Sequence, residues 1–261
     1  MKKLFIGFLF LILSCATTGP GGKKSLILIP TSTEVEIGRE VSSQVESTEK
    51  LHENQRVQNY VNDVGQKIAE VCDRKDIKYT FKVIDSEQVN AFACPGGFIY
   101  IYAGLIKIMD NEAQLAAVLA HEVGHVVARH SVKRLQTVYG YSILMDVLLG
   151  DKMSEVALQM INAATLLILQ GYGRDNEFEA DNYGILYAYR ASHNPKAMVQ
   201  IFNKFIEVEG SPPSVFEQLL LSHPPTQDRI DKANKQIEEI GGENLPYHTE
   251  EFAVIKTLLI K

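Results

Sequence analysis

A mostly helical α+β fold with one small sheet is predicted by three observations. Apolar residues recur at helical spacing over most of the chain, two β-rich stretches lie close together between residues 77 and 102, and glycine–proline clusters punctuate the long helical half. The composition, 46% hydrophobic and 22% charged over 261 residues, is that of an ordinary folded protein. It argues against disorder, collagen-like repeats and a multi-span membrane protein. The formal charge of −6, from 26 basic and 32 acidic side chains, offers no attraction to a phosphate backbone. Nucleic acid is therefore not an expected partner. Three cysteines are too few for a disulfide-stapled scaffold, so burial must supply the core.

Residues 1–14, MKKLFIGFLFLILS, open with two lysines, continue as an apolar run and end in a serine. The run from Leu4 to Leu13 is about half the ~20 residues of a spanning helix. This is the layout of a secretory signal peptide. The segment I-L-S-C that ends at Cys15 resembles the lipobox of bacterial lipoproteins, which implies cleavage before Cys15 and lipidation of that residue. Ala16, rather than an aspartate, follows the candidate anchor, so the periplasmic side of the outer membrane is the favoured address. Residues 15–25 then read as an anchor and flexible tether, because glycine and small polar residues bury no core. Residues 26–261 show no internal repeat and no second composition shift, as expected of one domain.

Within that domain, apolar spacing from Glu34 to Cys72 predicts two helices, and IKYTFKVID over 77–85 alternates as a strand. Pro95-Gly96-Gly97 marks a turn, and FIYIY over 98–102 predicts a second strand. From Asp110 to about Ile240 the pattern is helical. Breaks are expected near Gly150, Gly171–Gly173, Asn194-Pro195, Gly210–Pro213 and Pro224-Pro225.

The helix expected after Met109 carries the chemistry. Asp110 and Asn111 are good N-caps, Asn111 with Gln114 has capping-box spacing, and four alanines favour the helix. On it lies His121-Glu122-Val123-Gly124-His125. Residues four apart share a helix face, so both imidazoles converge on one ion, and imidazole suits zinc. Glu122, beside the first ligand, is the base of the H-E-x-x-H arrangement of zinc proteases. A surface helix could carry these residues for solubility, but this motif is embedded in Ala, Val and Leu, where unpaired polar groups are costly. Gly124 weakens the helix, which suggests that something must approach it closely.

A catalytic zinc commonly takes three protein ligands and keeps one open position. An extended H-E-x-x-H-x-x-G-x-x-H motif would need glycine at 128 and histidine at 131, where the chain has Ala128 and Ser131. His130 is one residue out of register and is expected to face solvent. The better candidate is RDNEFEADNYG over 174–184, where Glu177 offers an oxygen and Asp181 shares its face as a carboxylate that fixes an imidazole tautomer. Glu179 is expected on a solvated face.

HEVGH, E-F-E-A-D at 177–181, NAFACPGGFIYIYAGLI at 90–106 and SHPPTQDRI at 222–230, in that combination, resemble metallopeptidase family forty-eight. This is the HtpX and CAAX-prenyl-protease family, here in its soluble, lipoprotein-like branch. The resemblance runs from about Glu36 to the C-terminus. It implies a zincin-like (gluzincin) catalytic domain and one Zn²⁺ per chain held by His121, His125 and Glu177. It further implies Glu122 as general base and Asp181 as supporting carboxylate. The chain departs from the family at Cys94, where many members carry another apolar residue, and at His193, where an aromatic residue is commoner.

The expected function is a zinc-dependent endopeptidase acting on misfolded or unassembled cell-envelope proteins, with envelope assembly machinery as a candidate partner. FIYIY is expected to present an exposed strand edge on which an extended peptide pairs. The alternative is a chaperone or assembly factor that binds unfolded chains through the same strand and cleaves rarely. The presence of Glu122 argues for cleavage. His223, before Pro224-Pro225, is either a removable extra ligand or a structural histidine, and Arg229 either steadies the oxyanion or pairs with a neighbouring acid. Cys72 and Cys94 either pair or pack as small core residues. The apolar segments 141–149 and 156–169 are shorter than a spanning helix and read as a hairpin over the catalytic helix.

Overall fold

The computed structural model describes residues 15–17, 24–138, 161–164, 170–208 and 215–259. The expected signal peptide, most of the 141–149 and 156–169 segments, and the breaks expected near Gly150 and Gly210–Pro213 lie outside them. Within the stretch expected as a tether, β1 (Cys15–Thr17) pairs antiparallel with β2 (Lys24–Leu26). The two helices expected next are α1 (Thr31–Thr48) and α2 (Gln55–Val71), the second capped by the Asn54 side chain on Arg56 N.

The sheet has three strands, β3 (Thr80–Ile84), β4 (Ala91–Cys94) and β5 (Phe98–Tyr102), in the order β3-β5-β4. β5 runs parallel to β3 and antiparallel to β4, with Ile99 opposite both Phe81 and Ala93. FIYIY is thus the central strand, which corrects the expectation that it offers a free edge. The edges belong to β3 and β4, and β4 is a strand that periodicity does not reveal because all four of its residues are buried. A run buried on both faces has no polar alternation to read. Gly96 and Gly97, at φ 76° and 96°, make the tight return between β4 and β5 in a left-handed conformation that suits glycine.

Strand alternation splits the core in two. Phe81, Val83, Ala91, Ala93, Ile99 and Ile101 face α2 and the helix that carries HEVGH in the larger cluster. Phe92, Tyr100 and Tyr102 face Ile37 and Val41 of α1, with Ile27 and Ile29 beside them. Cys72 and Cys94 are buried free thiols in these separate clusters, which is the core-residue reading and not the disulfide.

After α3 (Ala103–Ile108) comes α4 (Glu112–Val127), buried at every position. Asn111 Oδ1 accepts from Gln114 N at 3.0 Å, and Gln114 Oε1 accepts from Asp110 N at 3.0 Å. The capping signal therefore closes in both directions. Arg129 then takes a left-handed backbone, φ 54°, uncommon outside glycine and asparagine. It ends α4 and starts α5 (130–138) in a new direction. Beyond α6 (161–164) follow α7 (Arg174–Arg190), α8 (Lys196–Val208), α9 (Glu217–Ser222), α10 (Gln227–Ile240) and α11 (Glu250–Thr257). No helix among the described residues is long and apolar enough to cross a membrane.

α4 packs most closely on α7, and glycine permits it. A Cβ on Gly124 would stand 2.9 Å from Ala180 O and from Tyr183 Cβ, and one on Gly184 would stand 3.1 Å from His121 Cα. The partner whose close approach Gly124 implies is the α7 backbone. Where α4 ends, a buried ion cluster joins four segments. Glu34 of α1 accepts from Arg74 Nη1 and Nη2 at 2.9 and 2.8 Å and from Gly96 N at 3.2 Å, and Arg129 Nη2 stands 2.7 Å away. Arg74 Nη1 also donates to Val126 O at 3.0 Å, and Arg129 Nη2 to Ile29 O at 2.8 Å.

Candidate metal centre

Three helices and a loop meet at one buried point. α4 supplies His121, Glu122 and His125 from its last two turns, α7 supplies Glu177 and Asp181 from its first two, and α9 ends at His223. His223 N donates to Leu219 O at 2.7 Å, and the two prolines that follow stop the helix there. Thr226 then caps α10, whose first turn carries Arg229. Glu177 in the first turn of α7 is also where a helix dipole favours a negative charge.

The donor atoms point at one another. His121 Nε2 and His125 Nε2 are 3.0 Å apart, and each lies near Glu177, at 3.5 Å from Oε2 and 3.4 Å from Oε1 respectively. His223 Nδ1 is 3.3 Å from His121 Nε2 and 3.1 Å from Glu177 Oε2. Together His121, His125, Glu177 and His223 place four ligand atoms within 4.8 Å of one another, all buried. Two imidazole nitrogens on one tetrahedral zinc would stand ~3.3 Å apart, given bonds of about 2.0–2.1 Å.

The other ring nitrogens face outward, away from this point. His121 Nδ1 is 2.9 Å from Asp181 Oδ1, and Asp181 in turn accepts from Arg229 Nε and Nη2, each at 2.7 Å. His125 Nδ1 is 2.8 Å from His130 Nδ1, and His130 Nε2 is 3.3 Å from Glu179 Oε2. With the Nδ1 atoms turned outward to Asp181 and His130, both Nε2 atoms face the Glu177 carboxylate. Lone pairs meeting in a buried space repel unless a proton or cation stands between them. Nitrogen, nitrogen and carboxylate oxygen, oriented from behind, suit a divalent transition ion.

The titration behaviour has the same origin. Burial pushes His121 down, but Asp181 and Glu177 outweigh it and lift it to about 10. Groups that favour a proton there favour any cation. Burial holds His125 well below its ordinary value. It pushes Glu177 up, yet the charge of His223 and bonds from three histidines keep that carboxylate far below the usual range. Glu122 differs: burial raises it, and its Oε2 has no hydrogen-bond partner among the described residues. It sits 3.6 Å from His223 Nε2, through Oε1, and lines a small cavity of about 30 Å³ with Ala91, Val118, Met198, Phe202 and Leu219.

Of the residues read from sequence, His121, Glu122, His125, Glu177, Asp181, His223 and Arg229 all converge here. All three guanidinium nitrogens of Arg229 are engaged: Asp181 twice, Pro224 O and Glu177. That is the ion-pair arrangement. Two expectations are corrected. His130 is buried rather than solvent-facing, and Glu179 is partly buried as its partner. The left-handed Arg129 absorbs the one-residue register error and turns His130 back onto His125. Tyr172, which no sequence signal marked, stacks on His125 at 4.2 Å between centroids and bonds Ser131 through its hydroxyl at 2.8 Å.

Comparison with known proteins agrees with this geometry. The family described as "Peptidase family M48" matches residues 55–237. The chain is 32% identical over 200 residues to the "Putative beta-barrel assembly-enhancing protease" of Vibrio cholerae, covering 69% of this chain and 40% of that protein. The "Beta-barrel assembly-enhancing protease" of Escherichia coli is 25% identical over 219 residues, 79% of this chain and 44% of the relative. The "Mitochondrial metalloendopeptidase OMA1" of Schizosaccharomyces pombe is 29% identical over 182 residues, 69% and 53%. The chain spans about half the length of the curated relatives it matches. A metallopeptidase motif on α4, completed by α7 within the matched region, makes this chain a member of peptidase family M48.

Proposed function

We infer that this metallopeptidase is a zinc endopeptidase of the bacterial cell envelope that hydrolyses misfolded or unassembled proteins. The observation that carries the reading is Glu122: a buried carboxylate with a raised pKa and a free oxygen, beside a set of three convergent donors and a small cavity. His121, His125 and Glu177 would hold the ion, and Asp181 would fix the His121 tautomer. Zinc, when bound, acidifies water and polarises a carbonyl. Glu122 accepts the proton of a water in the cavity, the hydroxide adds to the peptide carbonyl, and Glu122 returns the proton to the leaving amine.

An extended substrate has one strand to pair with near this cavity. β4 is paired on one side only among the described residues, and its Ala91 lines the cavity beside Glu122. Main-chain pairing there favours unfolded chains, since folded proteins seldom offer a free extended segment. His223, within reach of both Glu177 and Glu122, acts as a removable donor that closes the resting site. The names of the bacterial relatives support envelope proteins as substrates and assembly machinery as partner. A signal peptide at 1–14 and a lipid on Cys15 would tether the domain at 26–261 to the membrane, on the periplasmic side.

The test compares casein-type cleavage by zinc-loaded wild type, Glu122→Gln and His223→Ala. Loss of the base is expected to slow cleavage on the order of 10²–10⁴-fold with zinc content unchanged, and His223→Ala to speed it. Equal, negligible cleavage by wild type and Glu122→Gln, with zinc bound and aggregation suppressed, would favour a chaperone. Membrane fractionation of Cys15→Ser checks the anchor: release into the soluble fraction is expected, and unchanged pelleting removes it.

A further inference from the structure

A second set of donors meets at the other end of α4. Glu112, the first residue of that helix, and His193, in the turn between α7 and α8, are both buried, while His248, before α11, is exposed. One ligand atom from each lies within 4.8 Å of the others. His193 Nε2 stands 2.9 Å from Glu112 Oε1. The His193 and His248 rings meet edge to face at 5.4 Å and 68°, close to the 4.7 Å and 77° of His121 and His125.

Two further observations bear on the cluster. His193 Nε2 faces Glu112, while its Nδ1 is buried with no hydrogen-bond partner among the described residues, so the ring proton can sit on Nδ1 and leave the Nε2 lone pair for an ion beside the carboxylate. His248 is held at φ 51°, in the left-handed region, while its carbonyl accepts from Glu112 N at 3.2 Å. The segment is fastened to the first turn of α4 in a strained conformation that keeps the imidazole near the cluster. The Glu112 carboxylate is fixed in place from its other oxygen, where Oε2 accepts from the Tyr60 hydroxyl. The ammonium of Lys67, 3.8 Å from Glu112, is on an exposed side chain free to turn away from an incoming ion.

We propose that Glu112, His193 and His248 form a second divalent-cation site that clamps the segment before α11 onto the start of the catalytic helix. Two imidazoles and one carboxylate select a zinc-like ion over calcium or magnesium, which take oxygen ligands. The exposed His248 leaves a path for the ion to enter. The cluster lies at the opposite end of α4 from HEVGH, so the site is separate from that chemistry.

The full chain, loaded with Zn²⁺ alone and desalted, is assayed for metal per chain beside His248→Asn. Asparagine accepts the left-handed backbone and the position is exposed, so folding is preserved. Two equivalents in the wild type and one in the variant are expected, with a zinc-dependent rise in thermal midpoint that is smaller in the variant. Substituted Co²⁺ gives a second readout, with visible absorption per chain falling in His248→Asn. Equal metal content in the two proteins, at one equivalent or at two, overturns the second site and leaves the HEVGH reading intact. A wild type that holds no metal overturns both.

Discussion

Two buried polar networks flank the end of α4, and they differ in their protons. Around Glu34, guanidinium and amide N–H groups of Arg74, Arg129 and Gly96 point at two carboxylate oxygens. Donors meet acceptors, and of the buried guanidinium nitrogens only Arg129 Nε lacks a partner among the described residues. Around Glu177, the atoms that converge are ring nitrogens and carboxylate oxygens, acceptors facing acceptors once the outer nitrogens are bonded. Both networks are dense and buried, so burial alone does not mark function. A surplus of lone pairs does.

If that contrast is right, the two networks fail differently. Glu34→Ala strands two buried arginines and is expected to cost about 3–5 kcal/mol of stability, read from urea unfolding. Its zinc affinity when folded should match wild type; a parallel loss would mean that the Glu34 cluster shapes the metal centre as well. Glu179→Gln acts on the other network. Weakening the hold on His130, and through it on His125, should lower zinc affinity roughly 10-fold by competition with a chromophoric chelator. Stability without metal should barely change, and unchanged affinity would make His130 a plain core histidine. The smallest effect concerns a third carboxylate. Burial pushes Glu46 up, but Lys82 and Tyr100 outweigh it and leave it below its ordinary value. A depressed pKa contributes stability above the unfolded value of 4.5, lost as pH falls below it. Glu46→Gln should therefore lower stability at pH 7 by under about 1 kcal/mol and flatten the acid limb of the Tm–pH curve.

Fixed spacing made most of the centre legible in the sequence. His121 and His125 share a face because four residues make about one turn, and Glu177 and Asp181 do so for the same reason. What stayed hidden depended on single backbone events and on tertiary approach. His130 was misread because one left-handed residue, Arg129, resets the helical register. Tyr172 reaches His125 from a loop whose path no periodicity encodes. β4, and with it the central place of β5, is not legible in the sequence, because a fully buried strand has no alternation to show. The helices α3 and α11 are short and lay outside the reading; α1, α2 and α4 were long enough for the pattern to accumulate.

The reciprocal contact of Gly124 and Gly184 with the opposite helix acts as a gauge. A side chain at Gly124 would meet Ala180 O at 2.9 Å and push on α7, whereas one at Gly184 would first meet the flexible end of Met198 and then His121 Cα at 3.1 Å. Since two donors ride on one helix and one on the other, the spacing of α4 and α7 bears on which ion would fit, beside the identity of the donors. An engineer wishing to change the metal should begin with these two glycines and leave the ligands alone.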